Sequence, residues 1–174
     1  THGFQRDGAQ AVAYRRAMQP LQEAGKLKGV LVQFRYDVAA TPETRRHFEW
    51  INNQFAELAP LVFEVRHRSW ETAESIDFLK SLGVSVASLD YPTAADSFTA
   101  DLTLTDSAYL RLHGRNRQAW FARDTEPHEP YNYDYSGEEI TNLATRSEGI
   151  LGKVRQLTIV ANNHYRGKAM SAAL

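Results

Sequence analysis

Cysteine is absent from all 174 residues, which excludes disulfides, thiolate-bound zinc and cysteine nucleophiles at once. No apolar run approaches the length of a bilayer span, and the opening residues do not read as a charged-then-apolar leader. An excess of one charge is missing too: 20 Lys and Arg face 21 Asp and Glu, interspersed, for a formal net charge of -1. A chain so balanced does not coat nucleic acid or anionic membrane by bulk electrostatics. Neither a Walker A loop nor a dinucleotide glycine fingerprint occurs. The expectation from these absences is a soluble cytoplasmic protein, and the length suits a single domain over residues 1–174 with a real core.

What is present is an alternation of apolar helical stripes and short apolar runs. Residues 9–24 space Tyr14, Ala17, Met18 and Leu21 at helical period, with Gly25 as a stop. Thr41, Pro42 and Glu43 start a second helix with a hydroxyl cap, a first-turn proline and an acid on the positive dipole end. Its stripe is Phe48, Ile51, Phe55 and Leu58. A third helix over 72–82 packs Ile76, Leu79 and Leu82, and a capping box at Ser136 and Glu139 opens a fourth with Ile140, Leu143 and Ala144 inward. Strands read over 29–34, 61–67, 84–90, 108–113 and 157–162. Short links between strands and helices predict a parallel α/β sheet with right-handed crossovers. Residues 114–135 form one long excursion whose Trp120, Phe121, Tyr131, Tyr133 and Tyr135 predict an ordered aromatic flap.

The stretch from Leu61 to Trp70 organises the rest. Side chains two apart on a strand share a face, so Val62, Glu64 and Arg66 point one way and Leu61, Phe63 and Val65 the other. Period two applied to all five strands collects Gln33; Glu64 and Arg66; Ser88 and Asp90; Arg111 and His113; and Asn162, each near a carboxyl end. Strands covered on both faces run nearly all apolar, and a buried charge is costly unless paired. Polar residues at these ends therefore predict a cleft at the sheet edge where α/β active sites lie. Glu64, Asp90 and His113 are the candidate acids and bases, though Glu64 with Arg66 also reads as a structural ion pair. Arg66, Arg111 and Arg115 suit bidentate capture of a carboxylate or phosphate, and Asn162, Asn163 and His164 close the fifth strand. Glu64, Asp90 and His113 hold oxygen and nitrogen donors for a divalent metal, but no HxH or HExxH spacing supports one and no metal site is assigned. The cofactor stays unknown. His47 and His128 read as solvent-exposed.

The order Gln33-Phe34, Glu64 through Trp70, Tyr109 through Arg115, residues 131–135 and Asn162 through Ala169 resembles the motifs of the domain of unknown function 72 family, the YecE-like proteins. The likeness runs along nearly the whole chain. It implies a TIM-type (β/α) barrel of about eight strands and no firmly established activity. It brings His67, Trp70, Tyr131 and Tyr133 into the candidate binding set. Two departures stand out. The family's Gln-Phe-Pro-Pro reads Gln33-Phe34-Arg35-Tyr36 here, and Thr1-His2 looks like the pair that follows the family's third strand. The expectation is a partial barrel of about the last five strands, which cannot close alone. Missing N-terminal strands or another chain would fill the open edge.

Three readings follow. The first is a barrel enzyme doing acid/base chemistry, hydrolysis or isomerisation, on a small anionic or phosphorylated substrate. The second is a non-catalytic module that binds an anionic metabolite, or a nucleic-acid phosphate or base stacked on Trp70, Trp120 and the tyrosines; the near-neutral charge argues against tight general nucleic-acid binding. A third, a structural protein, predicts an apolar strand edge without a pocket. No membrane partner is expected.

Overall fold

The computed structural model describes residues 6–173; Thr1 and His2, on which the comparison with the family's third strand rests, lie outside the described residues. The chain packs as two compact units. The first runs to Val86 and takes in Asp96–Phe98; the second comprises Ala87–Ala95 and the residues from Thr99 onward.

In the first unit, α1 (Gly8–Glu23) leads through β1 (Val30–Gln33), α2 (Pro42–Phe55), β2 (Leu61–Glu64) and α3 (Ala73–Ser81) to the start of β3 (Ser85–Asp90). The helix starts are written in the sequence. Asp7 caps α1 by accepting from the amides of Ala9 and Gln10, and Thr41 caps α2 by accepting from Thr44. Val30 to Gln33 pair in parallel with Leu61 to Glu64, residue for residue. The core is aromatic. Phe48 stacks on Phe34 at 4.2 Å and on Trp70 at 4.5 Å, and meets Phe63 edge-on at 4.8 Å. The Trp70 indole nitrogen donates to the Val38 carbonyl at 2.9 Å, so the ring is buried with its one polar atom satisfied.

In the second unit, the rest of β3 pairs in parallel with β4 (Ser107–Leu112), and β4 with β5 (Gln156–Ala161). Between them run α4 (Arg117–Phe121) and α5 (Gly137–Leu151), and α6 (Lys168–Ala173) follows. The capping box is formed in full: Ser136 accepts from the Glu139 amide and the Glu139 carboxylate accepts from the Ser136 amide. Leu110, Leu112 and Leu143 make the core, with Tyr135 and Leu157 packed against them. The strands follow chain order, β1 through β5, all parallel. The α/β class with a parallel sheet is therefore what the sequence alternation indicates.

Several local readings change. The α1 stripe is largely exposed: Tyr14 and Leu21 lie open, and the helix instead buries Ala11 and sets Tyr14 edge-on to Phe55. Ala144, read as inward, is exposed on α5, where Leu143 and Ile150 do the packing. His47 is not on the surface; it is 5 % exposed and stacked on Trp50 at 5.9 Å. A histidine one residue before the buried Phe48 shares enough of the helix face to be drawn in with it. The strand read over 61–67 ends at Glu64, and His67 makes an isolated antiparallel bridge to Ser97 instead. Among the described residues no helix is long and apolar enough to cross a membrane.

Candidate functional site

The polar residues of the first unit gather around Glu64. β1 and β2 are in register at Gln33 and Glu64, so the two side chains leave the sheet together. Gln33 Nε2 donates to Glu64 Oε2 at 3.2 Å, while Arg66 Nε and Nη2 both donate to Glu64 Oε1, at 2.9 and 2.5 Å. Glu64 is 0 % exposed, so its charge is carried by this pair rather than by water. Nearby in sequence, His67 Nδ1 accepts from the Ser69 amide at 3.2 Å and caps a 3-10 turn over Arg68–Glu71, and Trp70 sits in the aromatic core. A separate cavity of about 370 Å³ in this unit is lined by α1, β1 and α2, with Tyr14, His47 and Trp50 on its wall. None of the predicted site residues lines it.

The second unit holds the larger assembly, in two connected parts. In the first, Arg115 Nε and Nη2 donate to both oxygens of Asp90 at 2.8 to 3.2 Å, and Nη1 donates to Glu139 Oε1 at 3.0 Å. The Tyr135 hydroxyl donates to Asp90 Oδ2 at 2.7 Å and accepts from the Gly114 amide at 2.9 Å. The Tyr133 hydroxyl donates to Glu139 Oε1 at 2.7 Å. In the second part, Arg111 Nη2 and Asn162 Oδ1 are 2.9 Å apart, and Asn162 Nδ2 and His113 Nδ1 are 3.1 Å apart. The rings of Tyr91, Trp120 and Tyr131 stand around His113 with centroids at 6.3, 5.8 and 6.1 Å. His113 itself is 1 % exposed. Asn163 Nδ2 donates to the Tyr133 carbonyl at 3.0 Å, and His164 Nδ1 donates to the Asn162 carbonyl at 2.9 Å while its ring lies 5.1 Å from Tyr131.

Backbone pairing builds this arrangement. β4 and β5 are in register through Leu112 and Ala161, and the Asn162 amide donates to the Leu112 carbonyl at 2.7 Å, extending the ladder by one rung. That rung brings Asn162 beside Arg111 and His113, which are two residues apart and so emerge on one side of β4. Asp90 and Leu112 are partners in β3 and β4, and the His113 amide donates to the Asp90 carbonyl at 2.8 Å. The flap then folds back through Asn116, whose side chain caps α4 and donates to the Glu129 carbonyl at 2.9 Å.

The electrostatics follow the pairing. Hydrogen bonding to Asp90 holds Arg115 still more firmly protonated; burial opposes this, and the charges of Asp90 and Glu139 add to it. Burial pushes the Tyr135 and Tyr133 phenols above their usual range, helped by the carboxylates of Asp90 and Glu139 respectively. Burial works against the Glu139 carboxylate, but the Ser136 amide, the Tyr133 hydroxyl and Arg115 together hold its pKa below the usual carboxyl value. Asp101 behaves alike, with burial overcome by Arg146. A carboxyl whose pKa is lower in the folded state adds stability that is complete above its unfolded value of about 4 and is lost as pH falls through the folded value. Urea midpoints measured from pH 6 down to pH 3 should therefore drop in this acid window, and E139Q with D101N should flatten the drop.

Gly114 joins β4 to the flap at φ 90°, and a Cβ there would stand 2.7 Å from the Tyr133 Cβ. Only glycine suits that backbone and that approach. G114A is expected to cost about 2 kcal/mol, read as a lowered urea midpoint at unchanged slope.

Among the described residues no group of three His, Asp or Glu side chains is gathered closely enough to hold a metal ion. Tyr91, Glu139 and Arg146, whose Nη1 stands 3.9 Å from Asp90 Oδ1, take part in the second unit's assembly without a site role predicted from the sequence. Tyr91 was legible, since it directly follows Asp90 at a strand end. Glu139 was read only as a helix cap, and nothing local marks its second role.

Comparison with known proteins gives a consistent result. The family model described as "Protein of unknown function DUF72" matches residues 1–174. The UPF0759 protein YunF of Bacillus subtilis is 25 % identical over 167 residues, which is 90 % of this chain and 59 % of that protein. A DUF72 family protein from Thermotoga maritima superposes with a TM-score of 0.85 at 30 % identity, covering 94 % of this chain and 61 % of that one. A DUF72 family protein from Enterococcus faecalis gives 0.85 at 26 % identity, covering 94 % and 62 %. The chain thus spans about three fifths of the length of these relatives.

Proposed function

This chain belongs to the DUF72 family, described as being of unknown function, and from that premise we propose that it contributes an acid/base site for a small anionic or phosphorylated substrate. The reaction class is hydrolysis or isomerisation. The observation that carries the reading is His113: almost wholly buried, at the end of β4, hydrogen-bonded to Asn162 and walled by Tyr91, Trp120 and Tyr131. Burying an imidazole among rings while tying it to an amide and, through that amide, to Arg111 makes little sense for packing alone. In this reading His113 moves a proton and Arg111 contributes positive charge. Asn163 and His164 shape the floor, with Tyr131 on the wall. Asp90 and Arg115 hold the flap, because each is already engaged by the other and by Tyr135 or Glu139. Glu64 is the acid/base candidate of the first unit, with Gln33 and Arg66 as its fixed partners.

The test begins with a thermal-shift screen of inorganic phosphate, sugar phosphates and small carboxylic acids on the full-length protein. Turnover of any stabilising compound is then followed by 31P and 1H NMR. H113Q should lower kcat/KM at least about 100-fold while the melting temperature moves little. Turnover unaffected by H113Q would remove His113 from the chemistry. Binding without turnover in the parent protein would instead favour the non-catalytic binding module. Steeply salt-dependent affinity for an oligonucleotide would narrow that module to nucleic acid.

A further inference from the structure

Resting on the acid/base reading of His113, we propose that Asn162, oriented by Arg111, dictates which ring nitrogen of His113 carries the proton. Nδ1 is kept as an acceptor and the hydrogen resides on Nε2. His113 is thereby set up as a neutral N–H donor, an acid rather than a base.

Donor and acceptor types alone decide the tautomer. A guanidinium has no acceptor, so the Asn162 atom 2.9 Å from Arg111 Nη2 must be the amide oxygen. Turning the amide over would set NH2 against N–H, two donors face to face. With the oxygen committed to Arg111, the NH2 group faces His113, 3.1 Å from Nδ1. An amide NH2 only donates, so Nδ1 must accept. A proton on Nδ1 would recreate the donor–donor clash, whether the ring were the other neutral tautomer or the imidazolium. Arg111 thus acts on His113 through Asn162, and both are positioning residues.

The geometry is fixed by the fold rather than by chance side-chain contact. Arg111 on β4 and His113 just past its end are locked two residues apart, and the backbone N–H of Asn162 donates to the Leu112 carbonyl between them at 2.7 Å. Arg111 and His113 are both buried, so bulk water does not substitute for either partner.

The chemistry narrows the substrate class. A neutral imidazole N–H is matched to an oxygen that gains charge during reaction, such as a carbonyl becoming an oxyanion or enolate, since its donor strengthens as that charge develops. It is a poor sole partner for a permanent phosphate dianion, which charged groups would have to hold. A carbonyl of the substrate therefore belongs at the ring edge of His113.

The test is read without substrate. The full chain is labelled with 15N-histidine, and the ring nitrogens are examined by two-bond 1H–15N correlation at neutral pH, with H113Q identifying the His113 signals. The expected result is a pyridine-like Nδ1 and a protonated Nε2. In N162D the carboxylate accepts only, so a proton should appear on Nδ1; in R111M the amide is released and the tautomers should mix. A protonated Nδ1 in the parent protein, or an unchanged His113 pattern in N162D, overturns the proposal. If N162D and R111M do not fold, the parent spectrum, assigned with H113Q, still decides it. A protonated Nε2 with no turnover of any compound tested would count against the enzymatic reading while leaving the tautomer assignment in place. Turnover by a protein whose His113 carries its proton on Nδ1 would do the reverse.

Discussion

E64A should lower the stability of the chain by about 3–5 kcal/mol, read from urea unfolding with an unchanged slope. Glu64 has no exposed surface and receives Arg66 through two nitrogens and Gln33 through one. Removing the carboxylate takes the counter-charge from an arginine that is itself mostly buried, with a side-chain exposure of 17 %. It also leaves a cavity between β1 and β2. E64Q retains the volume and an acceptor oxygen, so it should lose clearly less, and the difference between the two variants isolates the charge. A loss below about 1 kcal/mol in E64A would mean that the pair is dispensable to the fold, which would strengthen a chemical role for Glu64. The measurement therefore separates the two readings the sequence left open.

D90A should cost about 3 kcal/mol, toward the lower end of the range for breaking a buried pair. Asp90 is buried and accepts from Arg115 and from the Tyr135 hydroxyl. The Arg115 side chain is 36 % exposed, and that access to solvent softens the loss of its partner. The effect should extend beyond stability. With Asp90 gone, Tyr135 loses its acceptor and the flap its main attachment to the end of β3, so limited proteolysis should cut within residues 114–135 faster than in the parent. A double-mutant cycle with R115M should return a coupling of at least about 1 kcal/mol. Additive losses would show that the two side chains are neighbours without being energetically joined.

The parts of this architecture that sequence reveals are those that local physics determines. Thr41 with Pro42, and Ser136 with Glu139, announce helix starts because a cap is satisfied within three or four residues. Strands announce themselves by apolar runs between turns, and the polar residue at each strand end follows from counting by twos. Burial of His47 was not legible, because a neutral imidazole looks the same on a surface as beside Trp50. Nor was α4: five residues, Arg117–Phe121, are too few to show a helical period, and the helix starts from the Asn116 cap. Partner choice was the hardest to see. Sequence set Arg115 beside His113 as a possible anion clamp, yet its carboxylates are Asp90 and Glu139, 25 and 24 residues away. Trp70 illustrates the same limit from the other side. Its motif drew it toward ligand binding, and its ring completes the aromatic core under Phe48.

One phenol couples the backbone after β4 to the carboxylate at the end of β3: the Tyr135 hydroxyl receives the Gly114 N–H and passes its own hydrogen to Asp90. The Gly114 amide can trade its hydrogen for deuterium only when that oxygen withdraws. Its isotope exchange is thus a clock for each excursion of the flap, ticking at a single backbone position without any attached reporter group. A compound that seats against His113 and closes the flap would slow that clock before any product had formed.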